Sequence, residues 1–168
     1  MSTAFIKAVQ QQYPDAIIDV IVKKGIDFLL DYFPKHNQHF IFDKEVYKGI
    51  SGAFKFGKQL RQQKRYDIFF CLPDSLSSAV MAFGVDATQR IGYKKELRSV
   101  LLTNSYQKKK NIHRVEEYVD LLKQFIKTEV DVSRIISSST NNVPSKNTNG
   151  APRRRAASAA VIRAHAGR

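Results

Sequence analysis

The sequence predicts an α/β fold in which a mostly parallel, Rossmann-like sheet of four or five strands carries helices on both faces. Short apolar runs alternate with longer stretches of helical periodicity along residues 2–127. Within residues 66–103 an apolar strand, a polar turn, a helix and a second strand follow one another, which is the order of a βαβ unit. A chain of 168 residues is long enough for one such domain with a sizeable core.

The βαβ unit is the best-defined feature of the sequence. Residues 68–72 are apolar throughout, as in a strand buried on both faces. Ser75 or Asp74 is placed to cap the helix that follows, and Gly84 is placed to end it. A second strand is predicted at residues 88–93. Ligands of open α/β sheets bind at the carboxyl ends of the strands, so we expect binding chemistry at the turn after the first strand.

The same patterns predict the remaining elements. Helices are expected at residues 2–12, 25–32, 51–64 and 112–127. Strands are expected at residues 16–22 and 39–42, and a strand or buried extended segment at 97–102. From about residue 133 the apolar periodicity stops and the composition changes to Ser, Asn, Arg and Ala. We therefore divide the chain into a Rossmann-like domain at 1–132 and a disordered basic tail at 133–168.

The net charge of +13 is unevenly distributed. Residues 137–168 contain one lysine, five arginines and no acid, so they carry +6 and leave +7 for residues 1–136. This balance favours anionic partners such as phosphorylated sugars, an anionic membrane surface or nucleic acid. Aromatic residues are not interleaved with Arg153, Arg154 and Arg155, so nucleic-acid binding is the least favoured of the three.

Motifs for cofactors and metals are not found. The four histidines lack metal-ligand spacing, and the single cysteine, Cys71, cannot complete a zinc site. No glycine-rich phosphate loop of the dinucleotide or P-loop type is present. We expect no cofactor and no bound metal, and we interpret Cys71 as a small core residue in a reducing compartment.

The order of residues in and around the βαβ unit resembles the acceptor-side domain of glycosyltransferase family nine, the ADP-heptose:lipopolysaccharide heptosyltransferases. The similarity extends from about residue 3 to about residue 125 and depends on an ordered set rather than on one motif. The set comprises Leu72, Ser75, Ser78, Ala79, Gly84, Arg90, Ile91, Gly92, Tyr93, Arg98, residues 111–118, Leu121 and Leu122.

The resemblance implies one half of a GT-B fold, truncated at both ends. In the family, a first strand and a glycine-aspartate loop precede the first helix, the loop aspartate is the general base, and donor-binding residues belong to a second domain. The similarity here begins after that loop, so we expect the sheet to lack an inner strand. Asp67 and Asp74 are the carboxylates nearest the proposed edge, but neither occupies the family's catalytic position. We assign no catalytic residue.

By the same resemblance, Ser75, Ser78, Arg98, Lys44 and Lys48 are predicted acceptor contacts. Each has a structural alternative: helix capping for Ser75, small-residue packing for Ser78, and a solvated surface position for the three basic residues. The implied partner is a phosphorylated lipid A core acceptor, with an ADP-sugar donor only if a second domain is supplied.

The resulting hypothesis is a fragment of a heptosyltransferase that transfers heptose from ADP-heptose to the lipopolysaccharide inner core and is inactive alone. We expect it in the cytoplasm, and peripheral contact with the inner membrane stays open. The alternative is a non-enzymatic α/β domain that binds anions or nucleic acid.

Overall fold

A computed structural model of the protein describes residues 2–109, 111–126 and 158–163. The strands within these residues are β1 (Ile17–Lys23), β2 (Gln38–Phe42), β3 (Ile68–Cys71), β4 (Gln89–Tyr93), β5 (Asn104–Tyr106) and β6 (Ser158–Arg163). The helices are α1 (Ser2–Gln12), α2 (Gly49–Gln63), α3 (Leu76–Val85) and α4 (Arg114–Ile126), with two 3-10 helices, η1 (Asp27–Tyr32) and η2 (Glu96–Leu101).

The strands form one sheet in the order β2-β1-β6-β3-β4-β5. β1 pairs with β2, β3 with β4, and β4 with β5, all in parallel. β6 is antiparallel to both of its neighbours, β1 and β3. The prediction of a mostly parallel α/β sheet is therefore confirmed.

Each face of the sheet has its own hydrophobic core. On one face α1 and α4 cover β1 and β3, and the rings of Phe5 and Phe70 meet edge to face at 5.0 Å. On the other face α2 and α3 cover the same strands, with Phe69, Cys71 and Ile21 in the core. The apolar run at 68–72 is continuous because its alternate side chains enter opposite cores.

Helices α2 and α3 cross at two glycines. A Cβ atom on Gly57 would overlap the backbone oxygen of Met81, and one on Gly84 would lie 2.6 Å from the backbone oxygen of Phe54. Gly84 lies inside α3, so the prediction that it ends this helix is wrong. The helix ends instead at Asp86, whose φ of 56° places it in the left-handed region that helix C-termini often use.

The prediction of a strand or buried extended segment at 97–102 is also wrong. The segment forms η2, in which residues three apart lie on the same side. Leu97 and Val100 are therefore both outside, 77% and 86% exposed, while Arg98 is turned inward. The apolar composition of the segment does not reveal this, because two of its four apolar side chains are solvated and its arginine is buried.

Strand β6 adds a sixth strand to the predicted four or five. It lies within the 133–168 tail, whose other residues lie outside the described part of the chain. Among the described residues, no helix has the length and apolar character needed to cross a membrane.

Candidate functional site

The candidate site is the edge of the sheet at which the parallel strands end. The loop after β2 (residues 43–48), the turn after β3 (residues 72–75) and the start of η2 after β4 all lie there. In open α/β sheets this edge forms the ligand crevice, because backbone amides and loop side chains converge at the strand ends.

Ser75 and Ser78 organise the turn between β3 and α3. Ser75 is the N-cap of α3, and its Oγ accepts a hydrogen bond from the Ser78 amide at 3.3 Å. The Ser78 hydroxyl lies within donor distance of the backbone oxygens of Pro73 (2.9 Å) and Ser75 (2.7 Å). Ser78 is buried, so its hydroxyl faces the turn, whereas Ser75 is exposed at the helix start.

Of the two cap candidates, the structure selects Ser75 and gives Asp74 another role. One Asp74 oxygen lies 3.7 Å from a terminal nitrogen of Arg98, and the other accepts from Lys108 at 2.6 Å. Asp67 lies at the opposite edge, where β3 begins, so the expectation that it is close to the site is wrong. Asp74, the carboxylate that the described residues place at the β3 end, therefore has two basic partners.

Arg98 is the most unusual side chain at this edge. It is only 2% exposed, and none of its three guanidinium nitrogens makes a hydrogen bond. A Cβ on Gly92 would lie 2.9 Å from the Arg98 Nη2, so the glycine makes room for the guanidinium beside β4. Among the described residues, Arg98 therefore has donors without hydrogen-bond partners and one neighbouring carboxylate, that of Asp74.

Lys108 connects the β3 turn to α4. Its Nζ lies 2.6 Å from Asp74 and 2.8 Å from Glu117, and 5.9 Å from the centre of the Tyr93 ring. Partial burial lowers the pKa of Lys108, but hydrogen bonds to the two carboxylates outweigh this and leave that pKa raised. The ammonium group therefore stays charged.

A second cationic group lies beside β2. Lys44 and Lys48 are exposed in the loop before α2, and Lys48 is the N-cap residue of that helix without a side-chain cap. In the same loop, a 2.6 Å hydrogen bond from Lys24 lowers the pKa of Asp43. This pairing neutralises Asp43. The exposed Lys44 and Lys48 then outweigh Glu45, so the loop keeps a net charge of +1.

The two cationic groups share an edge but do not touch. β2 and β3 are three positions apart in the sheet, or about 14 Å at the usual strand spacing. A ligand that contacts both groups must therefore be longer than a single phosphate. Among the described residues, no cluster of three or more His, Cys, Asp or Glu side chains could hold a metal ion.

Sequence reasoning missed Lys108, Glu117 and the pairing role of Asp74. The run of lysines from 108 to 110 has the composition of a solvated surface turn and gives no sign of a buried ion pair. The spacing of Glu117 and Asp120 on α4 was a signal that could have pointed to these ion pairs. Neither acid could be assigned to a particular lysine, however, before the strand order was known.

These features define an α/β domain of Rossmann type with basic side chains at the edge where its parallel strands end. A family model described as glycosyltransferase family 9 (heptosyltransferase) matches residues 53–159, more than half of the chain. The chain belongs to this family.

Individual proteins to which the chain is similar are also named as heptosyltransferases. The chain is 34% identical over 107 residues to lipopolysaccharide heptosyltransferase 2 of Escherichia coli K12, covering 62% of this chain and 30% of that protein. It is 34% identical over 133 residues to lipooligosaccharide heptosyltransferase 2 of Haemophilus influenzae, covering 72% of this chain and 35% of that protein. The chain thus spans about a third of the length of these curated relatives.

Two solved structures are similar in fold. The structure of the E. coli ADP-heptose LPS heptosyltransferase II matches with a TM-score of 0.60 and 30% identity, over 71% of this chain and 35% of that one. A family 9 glycosyltransferase from Veillonella parvula matches with a TM-score of 0.66 and 20% identity, over 76% of this chain and 37% of that one. The second likeness concerns the fold alone.

Proposed function

We propose that residues 1–132 are the acceptor-binding domain of a lipopolysaccharide heptosyltransferase, which would transfer heptose from ADP-heptose to the inner core. Membership of the family supports this proposal, as do the names of the E. coli and H. influenzae relatives. The match to about a third of each relative suits one domain of a larger enzyme. We propose that this domain binds the acceptor, that transfer needs a second, donor-binding domain, and that the chain alone is inactive.

The observation that carries the proposal is the buried guanidinium of Arg98 with its unused donors. Guanidinium groups bind phosphate with two parallel hydrogen bonds, and such charge-assisted bonds are strong. Lys108, 2.6 Å from Asp74, adds positive charge to the same corner. The core acceptor is phosphorylated, so this corner suits one of its phosphates once Asp74 turns aside.

The other predicted contacts have separate roles in this proposal. Ser75 stands at the N-terminus of α3, a ten-residue helix, where free amides and the helix dipole favour an anion. Ser78 holds the turn in shape through its hydroxyl. Lys44 and Lys48, about 14 Å away, would contact a second anionic group on the same extended acceptor. A lipid-anchored acceptor would also bring the domain into peripheral contact with the inner membrane.

Calorimetric titration with a phosphorylated lipid A core oligosaccharide tests the proposal. We expect Arg98→Met to weaken binding about tenfold or more, because a charge-assisted contact contributes about 1.5–3 kcal/mol. We expect a smaller loss for Lys48→Ala, because that lysine is solvated. Arg65→Ala is the matched control, since Arg65 is exposed near the start of β3 at the opposite edge. Equal losses in all three variants, or no binding by the folded protein, would overturn the proposal.

A non-enzymatic role in binding nucleic acid is the second candidate, and it is suggested by the +6 charge of residues 137–168. Binding through that charge alone would be independent of sequence and would weaken steeply with salt. Affinity for duplex DNA that disappears when Arg153, Arg154 and Arg155 are replaced by alanine, with acceptor binding undetectable in the intact chain, would favour this candidate.

A further inference from the structure

The sheet contains a position that the first 126 residues leave open. β1 and β3 run parallel to each other on either side of β6, because β6 is antiparallel to both. From β1 the chain moves outward to β2 and then returns through α2 to β3 on the other side of the same position. The gap between β1 and β3 is therefore one strand wide, about 9–10 Å between their axes.

Both walls of this gap belong to the core. Val20, Ile21 and Val22 of β1 are at most 3% exposed, and Phe69 and Phe70 of β3 are fully buried. Backbone amides and carbonyls along such strands need partners, because leaving them unpaired in the interior costs about 1–3 kcal/mol each. The backbone groups of β1 and β3 that face the gap therefore need a strand between them as a hydrogen-bond partner.

β6 meets this requirement through its backbone. It is in register with six residues of β1, from Ile17 opposite Arg163 to Val22 opposite Ser158. It is also in register with three residues of β3, from Ile68 opposite Ile162 to Phe70 opposite Ala160. A six-residue segment therefore pairs on both of its edges at the centre of the sheet.

The attachment of β6 differs from that of the other strands. Each of the first five strands is joined to the next through a helix or 3-10 helix. β6 follows α4 only after residues 127–157. A strand at the end of so long a connection can bind as an intramolecular ligand, held by its effective concentration as well as by its contacts.

We propose that the gap between β1 and β3 is a binding site for an extended peptide, and that residues 158–163 occupy it as an exchangeable ligand from the same chain. Recognition is by strand addition, in which main-chain hydrogen bonds provide affinity. The sequence SAAVIR suits the position, since small and branched apolar residues without proline fit a strand flanked on both sides. This inference rests on the strand order and not on the proposed heptosyl transfer.

A cleavable full-length chain tests the inference. A specific protease site replaces residues 140–146, the protein is folded intact, and the site is then cut. We expect the C-terminal fragment to stay with the body on gel filtration in native buffer and to separate in denaturant. A fragment that separates in native buffer from a body that remains folded and monomeric would overturn the inference.

Exchange is measured on the cut protein with a fluorescent peptide of residues 156–165. We expect its anisotropy to rise as it replaces the original fragment. A peptide carrying Val161→Pro is the matched control and should bind about tenfold more weakly or worse, because proline removes a donor from a doubly paired strand. Should the cut body precipitate, rescue by the first peptide alone supports the inference, and failure of both peptides to rescue it, or equal action by the two, contradicts it.

Discussion

Arg98 and Asp74 illustrate how differently the two members of a buried ion pair can contribute. Arg98 is almost completely buried without hydrogen bonds, and in the described part of the chain Asp74, at 3.7 Å, is the acid that compensates its charge. Asp74 also has Lys108 at 2.6 Å. Removing the arginine leaves Asp74 paired, whereas removing the carboxylate leaves a buried cation without compensation.

We therefore predict that Arg98→Met changes the free energy of unfolding by less than about 1 kcal/mol or stabilises the protein, while Asp74→Asn costs about 3 kcal/mol. Urea unfolding followed by circular dichroism measures both. A larger cost for Arg98→Met than for Asp74→Asn would show that the guanidinium is retained for stability. The expected result would leave ligand binding as the reason for burying it.

Cys71 gives a second prediction at this scale. The thiol is fully buried, and burial raises its pKa to about 12. At pH 8 only roughly one thiol in 10⁴ would then be ionised, and thiolate is the reactive form. We predict that Ellman's reagent does not modify the native protein but titrates one thiol per chain in urea. Rapid modification in native buffer would mean that the β3 core opens readily.

The roles of some individual residues could be predicted from the sequence around them. A serine or aspartate just before a predicted helix indicates an N-cap, and of the two candidates Ser75 is the one confirmed. The burial of Arg98 was not predictable, because it depends on the 3-10 conformation of η2 and on space beside Gly92. Whether the five predicted residues contact an acceptor stays a prediction.

At the scale of elements, the close crossing of α2 and α3 gives a testable asymmetry. Ala is a better helix former than Gly by about 1 kcal/mol, so propensity alone favours Gly84→Ala. The added methyl would lie 2.6 Å from a backbone oxygen of α2, which cannot move without separating the helices. We predict a net loss of about 1–3 kcal/mol in the free energy of unfolding.

Ser51→Ala is the control for this prediction, since Ser51 is an exposed position on α2. It should leave thermal stability unchanged or slightly higher. If Gly84→Ala also raises the melting temperature, the two helices are not in the close contact described above.

Elements with long, regular periodicity were predicted well, as α1, α2 and α4 illustrate. All six of their ends lie within two residues of the expected positions. Two short elements were predicted less well: η2 was expected to be extended, and β5, with three polar or aromatic residues, gave no strand signal. Three residues are too few to reveal a period, so tertiary pairing decides their conformation.

For the whole molecule, the position of β6 is the feature that sequence patterns could not provide. The segment is short, follows a region without periodicity, and pairs with strands about 90 and 140 residues earlier in the chain. Composition alone therefore favours disorder for residues 133–168. β6 is needed because the order of the other strands leaves a gap between β1 and β3.

This position makes the stability of the whole sheet depend on the end of the chain. In the register, Val161 lies opposite Asp19 of β1 and Phe69 of β3. We predict that Val161→Pro in the full chain lowers the free energy of unfolding by about 3 kcal/mol or more and increases light scattering, because two inner strand edges are exposed. Asn147→Pro, in the connection before β6, is the control and should behave like the unchanged chain. If the two variants unfold at the same urea concentration, β6 does not stabilise the sheet, and β1 and β3 must obtain their central partner from another segment.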